Sequence, residues 1–246
     1  MKSHPLTVPQ DWQALVRGDW LRDQESLRLS QWWSRIFGYY MLKLGPLAAG
    51  LDCSGARMSR QWSLCGQGQA DIFGSGRELP IQSRSVDALL LSHNLEYCEH
   101  PHQLMREANR ILVPDGHMII TGFNPLSMTG TARLWRREPP FNGRFLTAWR
   151  VKDWLKLLGY EVLDEERFLF GSLAGRTSGW QWLDTFGENY APWLGGLYLI
   201  LARKRQRPLT PIFNLSPVRK MTASGVPGAI SGRVGPANPV TRQRSR

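Results

Sequence analysis

The sequence predicts an α/β fold built on a parallel sheet, and three neighbouring features carry that prediction. Val86 to Leu91 (VDALLL) is apolar except for Asp87, the pattern of a strand covered on both faces. Leu104, Ala108, Ile111 and Leu112 follow at helical spacings of three and four. His117 to Thr121 (HMIIT) is a second strand-like run. Strand, crossover helix and strand make a βαβ unit, which is right-handed almost without exception.

Residues 1–18 hold no periodic signal and read as an N-terminal arm pinned by Trp12. Asp19 suits the N-cap of a helix beginning at Trp20. Leu29, Trp32, Trp33, Ile36, Phe37 and Tyr40 keep a three–four spacing, read as a core-facing stripe, and Gly38 suits the left-handed position that ends a helix. Tyr39 to Leu44 (YYMLKL) is the expected first strand, followed by Gly45-Pro46-Leu47-Ala48-Ala49-Gly50. Residues 46–70 are too few for a helix, a strand and a second helix of ordinary length. Leu51 to Cys53 and Gln61 to Cys65 read there as short strands. Phe73 to Arg77 is a glycine-rich loop, Pro101 suits a first helical position, and Pro114-Asp115-Gly116 suits a turn. Asn124-Pro125 sits at the carboxyl end of the second central strand, where it serves either a turn or a ligand. Residues 128–146 carry Arg133, Arg136 and Arg137, which suit an anionic substrate or solvent equally. Thr147 is the expected N-cap of a helix with Val151, Trp154, Leu155 and Leu158 on one face and Gly159 at its end. Tyr160 to Phe170 and Leu197 to Ala202 read as the last two strands, with a Gly- and Trp-containing segment at 171–192 between them.

The central stretch also carries a resemblance. Ser85-Val86-Asp87, Ser92, Glu99-His100-Pro101 and Arg110-Ile111-Leu112-Val113-Pro114-Asp115-Gly116 occur in the order of the corresponding motifs in class I S-adenosylmethionine-dependent methyltransferases of the type 11 group. The match reaches back to Asp71. The remainder, including Phe123-Asn124-Pro125, is similar to the methyltransferase-related YafS group of bacterial proteins. The resemblance implies a Rossmann-like sheet with helices on both faces and an antiparallel last strand. It also implies S-adenosylmethionine as cofactor and a small-molecule methyl acceptor. By the same resemblance Gly45, Asp71, Ile72, Leu91, Ser92 and Leu95 line the cofactor, with Asp71 in the segment that holds the adenine amino group. His93, Asn94 and Tyr97 are then nearest the acceptor, Asn124 is a further binding candidate, and His93 has an ordinary pKa suited to a general base. The pattern departs from the family where the first strand ends. Lys43 occupies the acid position, Gly45 keeps the first glycine, and Leu47 replaces the second. With the short 46–70 segment, this makes the cofactor-binding half abbreviated.

Composition bounds the alternatives. The chain has 246 residues, enough for one large domain, assigned here to residues 19–202. No apolar run approaches the ~20 residues of a membrane span. The start lacks the apolar core of a secretory signal and three cysteines stand outside any C-x-x-C, so a cytoplasmic location is expected. The net charge of +11 sits in the tail: from Arg203 onward there are ten Lys or Arg and no Asp or Glu. Residues 203–246 therefore read as a basic disordered tail that solubilises the chain or touches nucleic acid by charge. Metal-ligand, nucleophile-elbow and P-loop spacings are missing from the sequence. Two functions remain: a methyltransferase, or a non-catalytic relative that has lost its cofactor and acts through RNA or protein contacts.

Overall fold

The computed structural model describes residues 8–74, 76–136, 138–171, 173 and 191–205. The 171–192 segment and the basic tail expected from the sequence lie almost wholly outside the described residues. Seven strands form one sheet: β1 (Phe37–Leu44), β2 (Arg57–Cys65), β3 (Ile72–Phe73), β4 (Val86–Ser92), β5 (Leu112–Phe123), β6 (Tyr160–Phe168) and β7 (Leu197–Lys204). Their order is β3-β2-β1-β4-β5-β7-β6, and β7 runs antiparallel to both neighbours while the remaining pairs are parallel. This is the expected mixed sheet with its antiparallel last strand.

Strand β4 shows why the apolar run works. Its side chains alternate between two cores: Ala88 and Leu90 face one layer, Leu89 and Leu91 the other. The first layer is closed by α1 (Gly18–Trp33), which buries Leu21, Leu29, Trp32 and Trp33. The second is closed by α4 (Pro101–Ile111) and α6 (Ala148–Leu157) through Leu104, Ala108, Ile111, Val151, Trp154 and Leu155. Pro101 opens α4, and the Thr147 hydroxyl accepts from Arg150 N–H to cap α6, both as the sequence predicts.

Several boundaries differ from the sequence reading. Helix α1 begins at Gly18, after a left-handed Arg17, so Asp19 lies in its first turn rather than capping it. The helix stops at Trp33, which leaves Phe37 and Tyr40 on β1, exposed. Gly38 is a strand residue: the Asp87 carboxylate accepts the N–H groups of Tyr39 and Tyr40, both at 2.9 Å. A Cβ on Gly38 would stand 2.5 Å from that of Asp87. Residues 46–70 keep a full nine-residue β2 and economise on helices instead. Only a one-turn α2 (Pro46–Ala49) separates β1 from β2, and no helix lies between β2 and β4 among the described residues. The arm occupies part of the space this leaves. Trp12 is buried, its indole N–H donates to the Leu47 carbonyl at 2.9 Å, and its ring lies against Gly50.

Candidate functional site

The strand order reverses between β1 and β4, so the chain leaves those neighbouring strands in opposite lateral directions. Open α/β sheets bind ligands in the crevice beyond the carboxyl ends of such strands. A cleft of about 820 Å³ opens there, within the range of small-molecule sites. Its floor is Leu44 and Gly45 after β1, Leu64 to Gln67 at the end of β2, and Asn94 and Tyr97 of α3 (Asn94–Tyr97) after β4. The rim adds Gly74, Gly76 and Arg77, His100 and Leu104, and the arm residues Val8 and Gln10.

Gly45 has φ 94°, and a Cβ placed on it would lie 3.1 Å from the Asn94 side-chain carbon. Both facts select glycine, whose backbone is then bare to the cleft. Lys43, at the expected acid position, does not charge the cleft: its ammonium donates to the Leu51 carbonyl at 2.9 Å, tying down the turn before β2. Arg77 pairs with Glu99 at 2.8 Å, so the rim charges offset one another. Tyr97 is buried, and burial pushes its phenol well above the usual tyrosine range. It donates to the Pro140 carbonyl at 3.3 Å.

The predicted residues thus divide. Gly45, Asn94 and Tyr97 come together on the cleft wall. Leu91, Leu95 and Ile72 pack into the core behind it. Asp71 precedes β3, at the amino end of a two-residue strand, and its carboxylate accepts the N–H and hydroxyl of Ser63, both at 2.7 Å. Those bonds hold its pKa below the usual carboxylate value. It lines a neighbouring hollow with Ser63 and Gln69 rather than the cleft itself. Asn124 does not line the cleft: its amide donates to the carbonyls of Trp193 and Gly195, both at 2.9 Å, and its oxygen accepts from Leu126 N–H, the turn alternative of the sequence. The sequence reading missed Gln67, Arg77 and the arm. The signal for Gln67 was its place just beyond β2; for the arm, Trp12 signalled an anchor but nothing local signalled the cleft.

His93, the expected base, is withdrawn from the cleft. Its side chain is fully buried, with Nε2 2.5 Å from Glu25 Oε1 and Nδ1 3.2 Å from Glu96 Oε2. Burial opposes the charged imidazole, but Glu25 and then Glu96 outweigh it and raise the pKa to about 10. A base must exchange protons in reach of its substrate, and the buried ring does not line the cleft. Ser92 donates to Glu25 at 3.3 Å and accepts from Thr121 at 3.2 Å, so it belongs to the same buried network.

A family model described as a methyltransferase domain matches residues 37–120. The chain is 38% identical to YafS of Escherichia coli K12 over 212 residues, covering 84% of this chain and 86% of that protein. It resembles in fold a SAM-dependent methyltransferase from Archaeoglobus fulgidus, with TM-score 0.52, 16% identity, and coverage of 74% and 94%. It also resembles a chain of the Haloferax volcanii complex containing the Trm112 methyltransferase activator, with TM-score 0.56, 16% identity, and coverage of 79% and 95%.

Proposed function

The chain belongs to the YafS family and carries a methyltransferase domain, and on that premise we propose that its cleft binds S-adenosylmethionine and directs methyl transfer to a small-molecule acceptor. The observation that supports this best is the bare Gly45 backbone at φ 94°, facing an 820 Å³ cleft at the switch point of the sheet. The residues would hold the cofactor by shape and by backbone rather than by carboxylates, since Lys43 stands at the family's acid position and Leu64 to Gln67 at the end of β2 include no acid. Gly45, Asn94 and Gln67 would hold its polar groups, and Leu44, Leu64 and Leu104 its nucleoside face.

When bound, S-adenosylmethionine supplies an electrophilic methyl group on a good leaving group. The chain's part is to orient the reacting groups and exclude water. Asn94 and Tyr97 line the cleft from one turn, and the Tyr97 hydroxyl, donated to the Pro140 carbonyl, anchors that wall. Titrating S-adenosylhomocysteine and S-adenosylmethionine into the protein tests the reading. Micromolar 1:1 binding supports it, and no heat at millimolar ligand removes it.

A second reading, a methyltransferase fold retained for RNA contact, is favoured by one surface feature. Tyr40 and Trp62 stack at 5.2 Å, with exposed Arg60 the register partner of Tyr40 across β1 and β2, and paired aromatics with arginine suit unstacked bases. Loss of a salt-sensitive gel shift in Trp62→Ala is the outcome that reading requires.

A further inference from the structure

We propose that Glu25, His93 and Glu96 are positioning residues for the cleft, a buried carboxylate–imidazole–carboxylate clamp that fixes the turn presenting Asn94 and Tyr97 to a bound nucleoside cofactor. The inference rests on the cofactor reading above.

Four observations carry it. First, Glu25 is the one charged residue on the buried stripe of α1, in line with Leu21 and Leu29. A charge on such a stripe opposes the packing that holds the helix down unless it has a partner. Second, both ring nitrogens of His93 face carboxylate oxygens. Where both carboxylates are ionised, each nitrogen must donate, which only the doubly protonated ring can do. Third, the remaining carboxylate oxygens are also used: Glu25 accepts from Ser92, and Glu96 accepts the Phe123 N–H in a short bond. One network therefore joins α1, the ends of β4 and β5, and α3. Fourth, His93 itself has φ 50°, a left-handed conformation that a non-glycine residue adopts at a cost. It does so immediately before Asn94, whose side chain lies against Gly45.

A buried ionic group is no better for stability than a well-packed apolar one, so its presence points to fixed geometry. Strained backbone at a binding cleft has the same implication. Phe123 stacks on the imidazole at 4.3 Å and Trp12 meets it edge-on at 5.9 Å. The ring thus has one allowed orientation, and the turn that follows inherits it. Two further ionisable groups face the clamp beside Glu96, Tyr97 of α3 and Tyr198 of β7.

The test compares two single variants of the intact protein, Glu25→Gln and Leu29→Ala. Both alter the buried face of α1, but only the first touches the clamp. Calorimetric titration with S-adenosylhomocysteine is run on each and on the wild type, with melting temperatures recorded alongside. The clamp predicts at least tenfold weaker binding in Glu25→Gln and wild-type affinity in Leu29→Ala, whichever melts lower. Equal affinities in the two variants overturn it. A second measurement stands if Glu25→Gln does not fold: the His93 ring ¹⁵N resonances of the wild type should shift when the ligand is added. Unmoved resonances in protein that binds the ligand also overturn it. A wild type that binds nothing is a different failure, since it removes the cofactor reading together with the clamp's role in it.

Discussion

Gly45 is the position where one carbon atom matters most. Alanine there combines a strained φ with a contact at 3.1 Å to Asn94, so Gly45→Ala should weaken S-adenosylhomocysteine binding at least tenfold while the fold survives; calorimetry and circular dichroism separate the two effects. Asp71 makes the opposite case. Its carboxylate is committed to Ser63, so Asp71→Ala should change ligand affinity less than twofold, against the role that family resemblance implies. The His93 clamp has a pH signature. Its folded pKa of about 10 lies above its ordinary 6.5, so the folded chain holds a proton that the unfolded chain releases. That contribution is complete below about pH 6.5 and is lost as pH rises through about 10. Glu96, raised by burial, has the same sign. The melting temperature should therefore fall between pH 7 and 10, and fall less steeply in His93→Gln; equal slopes would contradict the clamp's protonation. The place of Asn94 and Tyr97 on the cleft wall was legible in the sequence because they follow a recognisable strand. The burial of His93 was not, because Glu25 lies 68 positions away and no local pattern announces such a pairing.

At the scale of elements, the short 46–70 segment sets the shape of the cleft. Its brevity was legible, but which element it cost was not. Strand β2 reads RMSRQWSLC, too polar to betray itself by alternation, since most of it is left uncovered and only Leu64 and Cys65 are fully buried. Strand β3 has two residues, so Asp71 falls at its wrong end for a ligand. The arm compensates for the shortened helix through Trp12. Trp12→Ala removes a buried indole and its bond to Leu47, which should cost about 3–5 kcal/mol by urea denaturation. It should also weaken ligand binding, because Val8 and Gln10 lose their anchor. A loss of stability with unchanged affinity would show the arm to be a cover and not a wall. The central βαβ unit, by contrast, was readable throughout: Val86 to Leu91 is buried on both faces, and the helix stripe at Leu104, Ala108 and Ile111 is the one that packs.

For the molecule as a whole, the sheet order and antiparallel β7 follow from the family pattern in the sequence, while the placement of the clamp and arm depends on tertiary contacts. Among the described residues no helix is long and apolar enough to cross a membrane. From Arg203 onward the sequence carries ten Lys or Arg and no Asp or Glu. Removing residues 208–246 should leave the melting temperature and ligand affinity of the remainder unchanged while abolishing any salt-sensitive retention on nucleic acid. A truncated chain that still shifts RNA at low salt would place that contact on the folded body, with Tyr40 and Trp62 as first suspects. Equilibrium titration of the full chain with S-adenosylmethionine is the most direct measurement of all. A single site of micromolar affinity, lost in Gly45→Ala and kept in Asp71→Ala, is the predicted result. No binding at millimolar ligand, or binding that depends on Asp71 and ignores Gly45, would contradict it.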